Sequence, residues 1–209
     1  NKGLIKRSEI REYNTSLRKR GLKAISLTEG DNLNFVMNTD GNKDVMLVTS
    51  LGMAVRYNET LVRCIGKNGQ GSRSMLLSPQ DSIAAMLAID AEADPSILVI
   101  TESGKGKKTS ASEYRSTAGR SVKGQRTINH HKRETTGKIV SALALNDNDD
   151  ILVLTNKGKM MRCNLDSLRN KSKATQATTI VALDDNDLVQ TAVVVPYVGE
   201  SESEEEFTE

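Results

Sequence analysis

Short apolar runs punctuate this chain at wide, regular intervals. VMLVT (45–49), ILVIT (97–101) and ILVLT (151–155) are each rich in β-branched side chains and each close on a threonine. Runs of this length and composition predict buried strands rather than helices. At the third position beyond each threonine stands a glycine, Gly52, Gly104 or Gly158, after which a second extended segment begins. That spacing predicts a three-residue hairpin loop whose last position needs a positive φ. A further copy of the turn opens the chain: NKGLIKR (1–7) aligns with SLGMAVR (50–56), ESGKGKK (102–108) and NKGKMMR (156–162).

The four glycines, Gly3, Gly52, Gly104 and Gly158, recur with a period of about 50 residues, in the range of propeller-like arrays. Ten residues after each comes an apolar anchor, Tyr13, Val62, Tyr114 or Leu168. Further on, a basic, turn-rich stretch carries a small residue, Gly21, Gly71, Gly124 or Ala177. An apolar segment then closes each unit: LNFVMNTD (33–40), SIAAMLAID (82–90), KIVSALALND (138–147) and LVQTAVVVP (188–196). The expectation is an all-β chain of about four four-stranded blades with fifteen of sixteen strands present, the absent one preceding Asn1. The final strand, near Val193 to Val195, is then left to find a partner, for which the first repeat is a candidate. Residues 81–94, rich in Ala, Met and Leu, have helical propensity, but their place in the repeat predicts a strand over 83–89.

Composition supports strands and narrows the chemistry. Hydrophobic residues make up 37% of the 209-residue chain, yet only six are aromatic and none is Trp, so Val, Ile, Leu and Ala must build the core. Cys64 and Cys163 lie far apart, with no CxxC and no nearby histidine pair, which argues against a zinc site and against a disulfide framework. With no apolar run of membrane-spanning length and no signal peptide, a reducing cytoplasmic setting and no membrane contact are expected. The formal net charge of +2 conceals an asymmetry. The last ten residues, ESESEEEFTE, hold six glutamates, and the rest of the chain carries about +8. This divides the chain into a repeat domain over 1–199 and an acidic tail over 200–209 expected to be disordered, and it points to a polyanionic partner for the body.

The candidate binding residues follow from the repeat. Four residues after each glycine stands a cation: Arg7, Arg56, Lys108 and Arg162. In a radial array equivalent positions recur on each blade, so these four predict a spaced row, although a solvated strand face would carry the same pattern. The basic loops add Arg18, Lys19, Arg20 and Lys23, then Lys67 and Arg73, then Arg120, Lys123 and Arg126, then Lys171 and Lys173. Glycines and serines interleave two of them, GKNGQGSR and AGRSVKGQR, which predicts backbone amides close to phosphates. The scarcity of aromatics argues against stacking on single-stranded bases. No catalytic site is readable. His130-His131 has no counterpart in any repeat, GKGKK lacks the GxxxxGK[ST] pattern of a phosphate loop, and the pairs Asp149-Asp150 and Asp184-Asp185 are expected in turns.

Taken in order, NKGLIKR, EGDNL, KDVMLVTSLGMAVRYNETLVR, GKGKKTSASEYR, ILVLTNKGKMMR and the acidic end resemble, over essentially the whole chain, the C-terminal domain of the A subunit of DNA gyrase. The resemblance implies a β-pinwheel whose blades exchange strands and whose basic rim wraps double-stranded DNA, and it places this chain on the last four of six blades. It implies a non-catalytic module of a type IIA topoisomerase, which biases strand passage toward negative supercoils together with the remainder of the A chain and with the B subunit. No cofactor is expected in this segment, since ATP and Mg act elsewhere in such an enzyme, and the segment itself is expected to be monomeric. The family's glycine-rich box Q-R-R-G-G-K-G has only degenerate equivalents here, GKNGQGS and GRSVKGQ. The equivalent domain of topoisomerase IV, and a propeller-like protein scaffold, remain as alternatives.

Overall fold

The apolar runs ahead of the glycines become the inner strands of three sheets. In the computed structural model, which describes residues 2–14, 21–129, 136–173 and 175–197, β1 (Leu4–Ile5) follows the first glycine. The later units contain β2 (Lys43–Thr49) and β3 (Met53–Asn58), then β6 (Ser96–Thr101) and β7 (Lys105–Ser110), then β10 (Asp150–Thr155) and β11 (Met160–Cys163), each pair an antiparallel hairpin. Gly52, Gly104 and Gly158 sit at φ of +84°, +73° and +79°, and each amide donates to the carbonyl of the preceding Thr at 3.0 Å. The threonines have a second role in two turns: Thr49 Oγ1 and Thr155 Oγ1 accept the amides of Met53 and Lys159, at 3.0 and 3.3 Å.

The closing segments β5 (Ile83–Asp90), β9 (Ile139–Leu145) and β13 (Val189–Val195) pair with β2, β6 and β10 on the edge opposite the hairpin. The last strand therefore finds its partner inside its own unit, not against the first repeat. β5 confirms the strand over the helix-prone segment: with β2 beside it, alternation buries Ile83, Ala85, Leu87 and Ile89 on one face, and this outweighs intrinsic helix propensity.

Three of the four sheets also receive a two-residue strand from the unit that follows. β4 (Ser72–Arg73) pairs with β1, β8 (Gln125–Arg126) with β3, and β12 (Thr178–Thr179) with β7. The sheet orders are thus β5-β2-β3-β8, β12-β7-β6-β9, β11-β10-β13 and β1-β4. β5 packs on β9 and β9 on β13, which places the closing strands along the inside of the array and the exchanged strands at its outer edge.

The strands described number thirteen, where the sequence pattern predicts fifteen. Both shortfalls fall in the first unit, at LNFVMNTD (33–40) and around Gly21. A closing strand pairs with the strand ahead of its own glycine, and an exchanged strand pairs with the preceding unit's sheet. The same segments remain open to solvent, with Leu33, Val36 and Met37 exposed.

Apolar clusters fill the spaces between sheets by a fixed rule of alternation. Met46 and Val48 of β2 join Ile97 and Val99 of β6 in one cluster, and Leu98 and Ile100 of β6 join Ile151 and Val153 of β10 in the next. Val45 and Leu47 face the first unit, where they meet only partly buried Ile5 and Phe35.

Candidate nucleic-acid interface

The cations four residues after the glycines occupy equivalent places, and the place is a crossing point. Arg7, Arg56 and Lys108 each bridge in parallel to a residue of the next unit, Cys64, Ser116 and Asn170. The carbonyls of the same three residues accept the amides of Ile65, Thr117 and Lys171, at 2.8 Å in every case. Their side chains diverge. Arg56 is only 8% exposed, its Nε donating to Asp44 Oδ2 at 2.8 Å and Nη1 to the Ala111 carbonyl at 2.9 Å. This corrects the expected open row, because burial and a carboxylate partner withdraw Arg56 from any ligand. Arg162 makes the same Nε bond to Asp150 Oδ2 at 2.7 Å but stays exposed, and Lys108 is half-buried. Arg7 lies 3.5 Å from Glu59 through Nη1. Asp150 therefore serves as a strand-borne counterion rather than a turn residue, while buried Asp149 accepts the amides of Asn146 and Tyr197 at 2.8 and 3.0 Å.

The adjacent lysines, which looked unconstrained in sequence, hold the basic loops in place. Lys6 Nζ donates to the carbonyls of Gly66 and Lys67, both at 3.0 Å, and Lys107 Nζ to Ser172 O at 2.7 Å. Lys107 is fully buried, and burial pushes its ammonium down to about 8, with Glu113 opposing and Lys171 adding to the shift.

The loop cations fall into two groups. Lys23, Arg73, Lys123 and Arg126 are exposed or partly so, and Lys67 and Lys171 half-buried. Arg120 Nη1 donates to the Ser72 hydroxyl and, at 3.1 Å, to the Arg73 carbonyl; Lys173 Nζ reaches the Glu113 carbonyl and Gln125 Oε1, each at 2.7 Å. These two fasten their loops to the neighbouring exchanged strand through neutral acceptors, so their positive charge is not cancelled. Arg18, Lys19 and Arg20, the pair His130-His131 and the acidic tail lie outside the described residues. Among the described residues no group of three or more Cys, His, Asp or Glu side chains could hold a metal ion.

Two of the loop glycines serve the strand exchange. A Cβ on Gly71 (φ +94°) would stand 2.8 Å from the Ile5 carbonyl oxygen, and one on Gly124 (φ +81°) 2.3 Å from that of Ala54. They permit the close approach by which the exchanged strand joins the preceding sheet.

A further series stands at the crossing points. Arg63, Arg115 and Arg169 each immediately precede a bridging residue, each stand eleven positions after their glycine, and all are exposed. The same offset rule that found Arg7 and its equivalents would have found them. With the exposed loop cations they give the outer edge repeated positive charge.

Comparison with known proteins is consistent with this arrangement. A family model described as the DNA gyrase C-terminal domain, beta-propeller, matches residues 1–40, 43–90, 95–146 and 149–196, four segments that coincide with the four units. The chain is 32% identical over 199 residues to the A subunit of DNA gyrase from Haloquadratum walsbyi, covering 95% of this chain and 23% of the relative. It is 34% identical over 190 residues to that of Lawsonia intracellularis, covering 90% and 23%. The chain thus spans about a quarter of the length of these curated relatives. A solved C-terminal domain of DNA topoisomerase IV superposes with a TM-score of 0.85 at 25% identity, over 93% of this chain and 59% of that one. A DNA gyrase A C-terminal domain superposes with a TM-score of 0.76 at 24% identity, over 91% and 61%.

Proposed function

Because this chain belongs to the family of DNA gyrase C-terminal domains, we propose that it is a non-catalytic module that binds and bends duplex DNA along its outer edge. The observation that supports this most directly is the recurrence of exposed cations at that edge, Arg63, Arg115 and Arg169 with Arg73, Arg126 and Lys123. Guanidinium and ammonium groups repeated on successive blades neutralise phosphates without reading bases, and affinity then comes from counterion release. Bending a short duplex costs on the order of 1–6 kcal/mol, which contacts distributed along the curve offset. In the larger protein the module would work in the cytoplasm beside the remainder of the A chain, together with the B subunit, holding one DNA segment so that strand passage favours negative supercoils. ATP and Mg would act on those other parts.

The test is the affinity for a duplex of about 40 base pairs across a salt series, with end-to-end fluorescence transfer to report bending. Binding whose logarithm falls steeply with log salt, with shortened ends, is the expected result. Absent or salt-insensitive binding overturns the proposal and favours a protein scaffold whose cations serve solubility.

A further inference from the structure

Exchanged strands are fastened by the unit that comes next, and the fastening repeats. β4 belongs to the second unit, and the third unit's loop closes on it: Arg120 Nη1 donates to the Ser72 hydroxyl and, at 3.1 Å, to the Arg73 carbonyl. Just beyond, the Leu76 amide donates to the Val122 carbonyl at 2.9 Å. β8 belongs to the third unit, and the fourth unit's loop closes on it in the same way. Lys173 Nζ donates to Gln125 Oε1 and to the Glu113 carbonyl, each at 2.7 Å, and the Asn129 amide donates to the Thr175 carbonyl at 3.3 Å. Ser72 and Gln125 both begin their exchanged strands, while Arg120 and Lys173 stand sixteen and fifteen positions after Gly104 and Gly158.

The chemistry of the two clasps sets them apart from the crossing points. Every acceptor is neutral: a hydroxyl, a side-chain amide or a main-chain carbonyl. Among the described residues neither cation makes an ion pair, whereas Arg56 at its crossing point is held by the Asp44 carboxylate. A guanidinium has five N–H donors and an ammonium three, and the clasps use one nitrogen of Arg120 and two protons of Lys173. Both side chains are half-buried at the outer edge. A cation that is held still, keeps its charge and has donors to spare is a prearranged ligand for a phosphodiester, because ionic hydrogen bonds are stronger than neutral ones and the cost of fixing a long side chain is already met.

We propose that these two junctions are phosphodiester seats, in which Arg120 and Lys173 touch the DNA and Ser72 and Gln125 are positioning residues, neutral posts that hold each cation without cancelling it. The inference rests on the reading of this edge as a duplex-binding surface and adds where phosphates sit, at the joints between units. Each cation comes from one unit and its post from the unit before. A phosphate bound at the cation therefore favours the closed junction, and by linkage the closed junction binds phosphate better. The duplex stiffens the array as it bends around it.

The test is the affinity of the intact chain for the duplex of about 40 base pairs across a salt series, in variants of the posts, with amide exchange at Leu76 and Asn129 measured with and without DNA. Ser72→Ala and Gln125→Ala leave the charge unaltered. Each should weaken binding about two- to tenfold, since the cation must then be fixed on binding, with the salt slope unchanged. Ser72→Thr, which keeps the hydroxyl, should bind like the parent and guards against a fold defect in the alanine variant. Ser72→Asp and Gln125→Glu keep an acceptor but pair the cation, and each should flatten the slope by about 0.9, as Arg120→Gln and Lys173→Gln do. DNA should slow exchange at Leu76 and Asn129 in the parent and less in the alanine variants. Alanine variants that bind like the parent, acidic variants with the parent's slope, or exchange at both amides that ignores DNA would each overturn the proposal while leaving duplex binding at this edge intact. A parent chain that binds no DNA would overturn both.

Discussion

Lys107 shows what a single residue contributes to this fold against its own preference. Its folded value of about 8 lies below the ordinary lysine value of about 10.4, so between those pH values the unfolded chain binds more protons and stability rises with pH. Below pH 8 the ammonium is charged and buried, at a cost of roughly 3 kcal/mol. The equivalent positions hold Val55 and Met161, so an apolar side chain fits there, and Ser172 O keeps the Thr175 amide and hydroxyl as donors. Lys107→Met is therefore expected to raise the melting temperature at pH 7 by a few degrees and to flatten the rise in stability between pH 8 and 10, both measured by thermal melts. Arg56 and Arg162 make the opposite case, in which one motif has two fates. Arg56→Ala strands the buried Asp44 carboxylate and is expected to cost about 3–5 kcal/mol, whereas Arg162→Ala, where the arginine itself is mostly exposed and Asp150 keeps Asn164 as a donor, should cost about 1 kcal/mol or less in urea unfolding. Sequence periodicity located both arginines at the same offset. It could not separate them, because burial depends on whether a following unit covers the site, and only Arg56 has one.

At the level of elements, the strand exchange explains which glycines are indispensable. Gly124 and Gly158 have nearly the same φ, +81° and +79°, yet a Cβ at Gly124 would meet the Ala54 carbonyl oxygen at 2.3 Å and one at Gly158 would meet nothing within 4 Å. Gly158→Ala is expected to cost only the left-handed backbone penalty, about 1–2 kcal/mol. Gly124→Ala should cost distinctly more and should detach β8 from β3, read as faster amide exchange at Thr127, whose amide donates to the Gly52 carbonyl, with the β6–β7 hairpin unchanged. The hairpins were legible in the sequence because a β-branched run, a threonine and a glycine are local signals. So was β5, through its place in the repeat. The exchange itself was not legible from the residues, because β4, β8 and β12 are two residues long and apolar patterning needs more length to speak. LNFVMNTD carries the pattern of a strand and is not paired as one, which no local pattern records, since pairing is set by residues distant in the chain.

Across the whole molecule, the exchange fixes where positive charge can gather, because the second, third and fourth units each send a basic loop to the outer edge of the unit before it. The consequence for DNA can be separated residue by residue through salt dependence. Removing one cation that neutralises a phosphate lowers the slope of log affinity against log salt by about 0.9. Joint replacement of Arg63, Arg115 and Arg169 by Gln should therefore flatten the slope by close to three such steps while leaving the melting temperature unchanged, since all three side chains are exposed. Arg56→Ala is the contrasting variant: it should lower the melting temperature and leave the slope as it was, because its charge is spent on Asp44 inside the sheet. If instead the triple variant binds with an unaltered slope, the duplex does not follow the line of crossing points. The exposed cations of the exchanged strands and their loops, Arg73, Lys123 and Arg126, would then have to hold the phosphates, and replacing those three in the same assay would decide between the two paths.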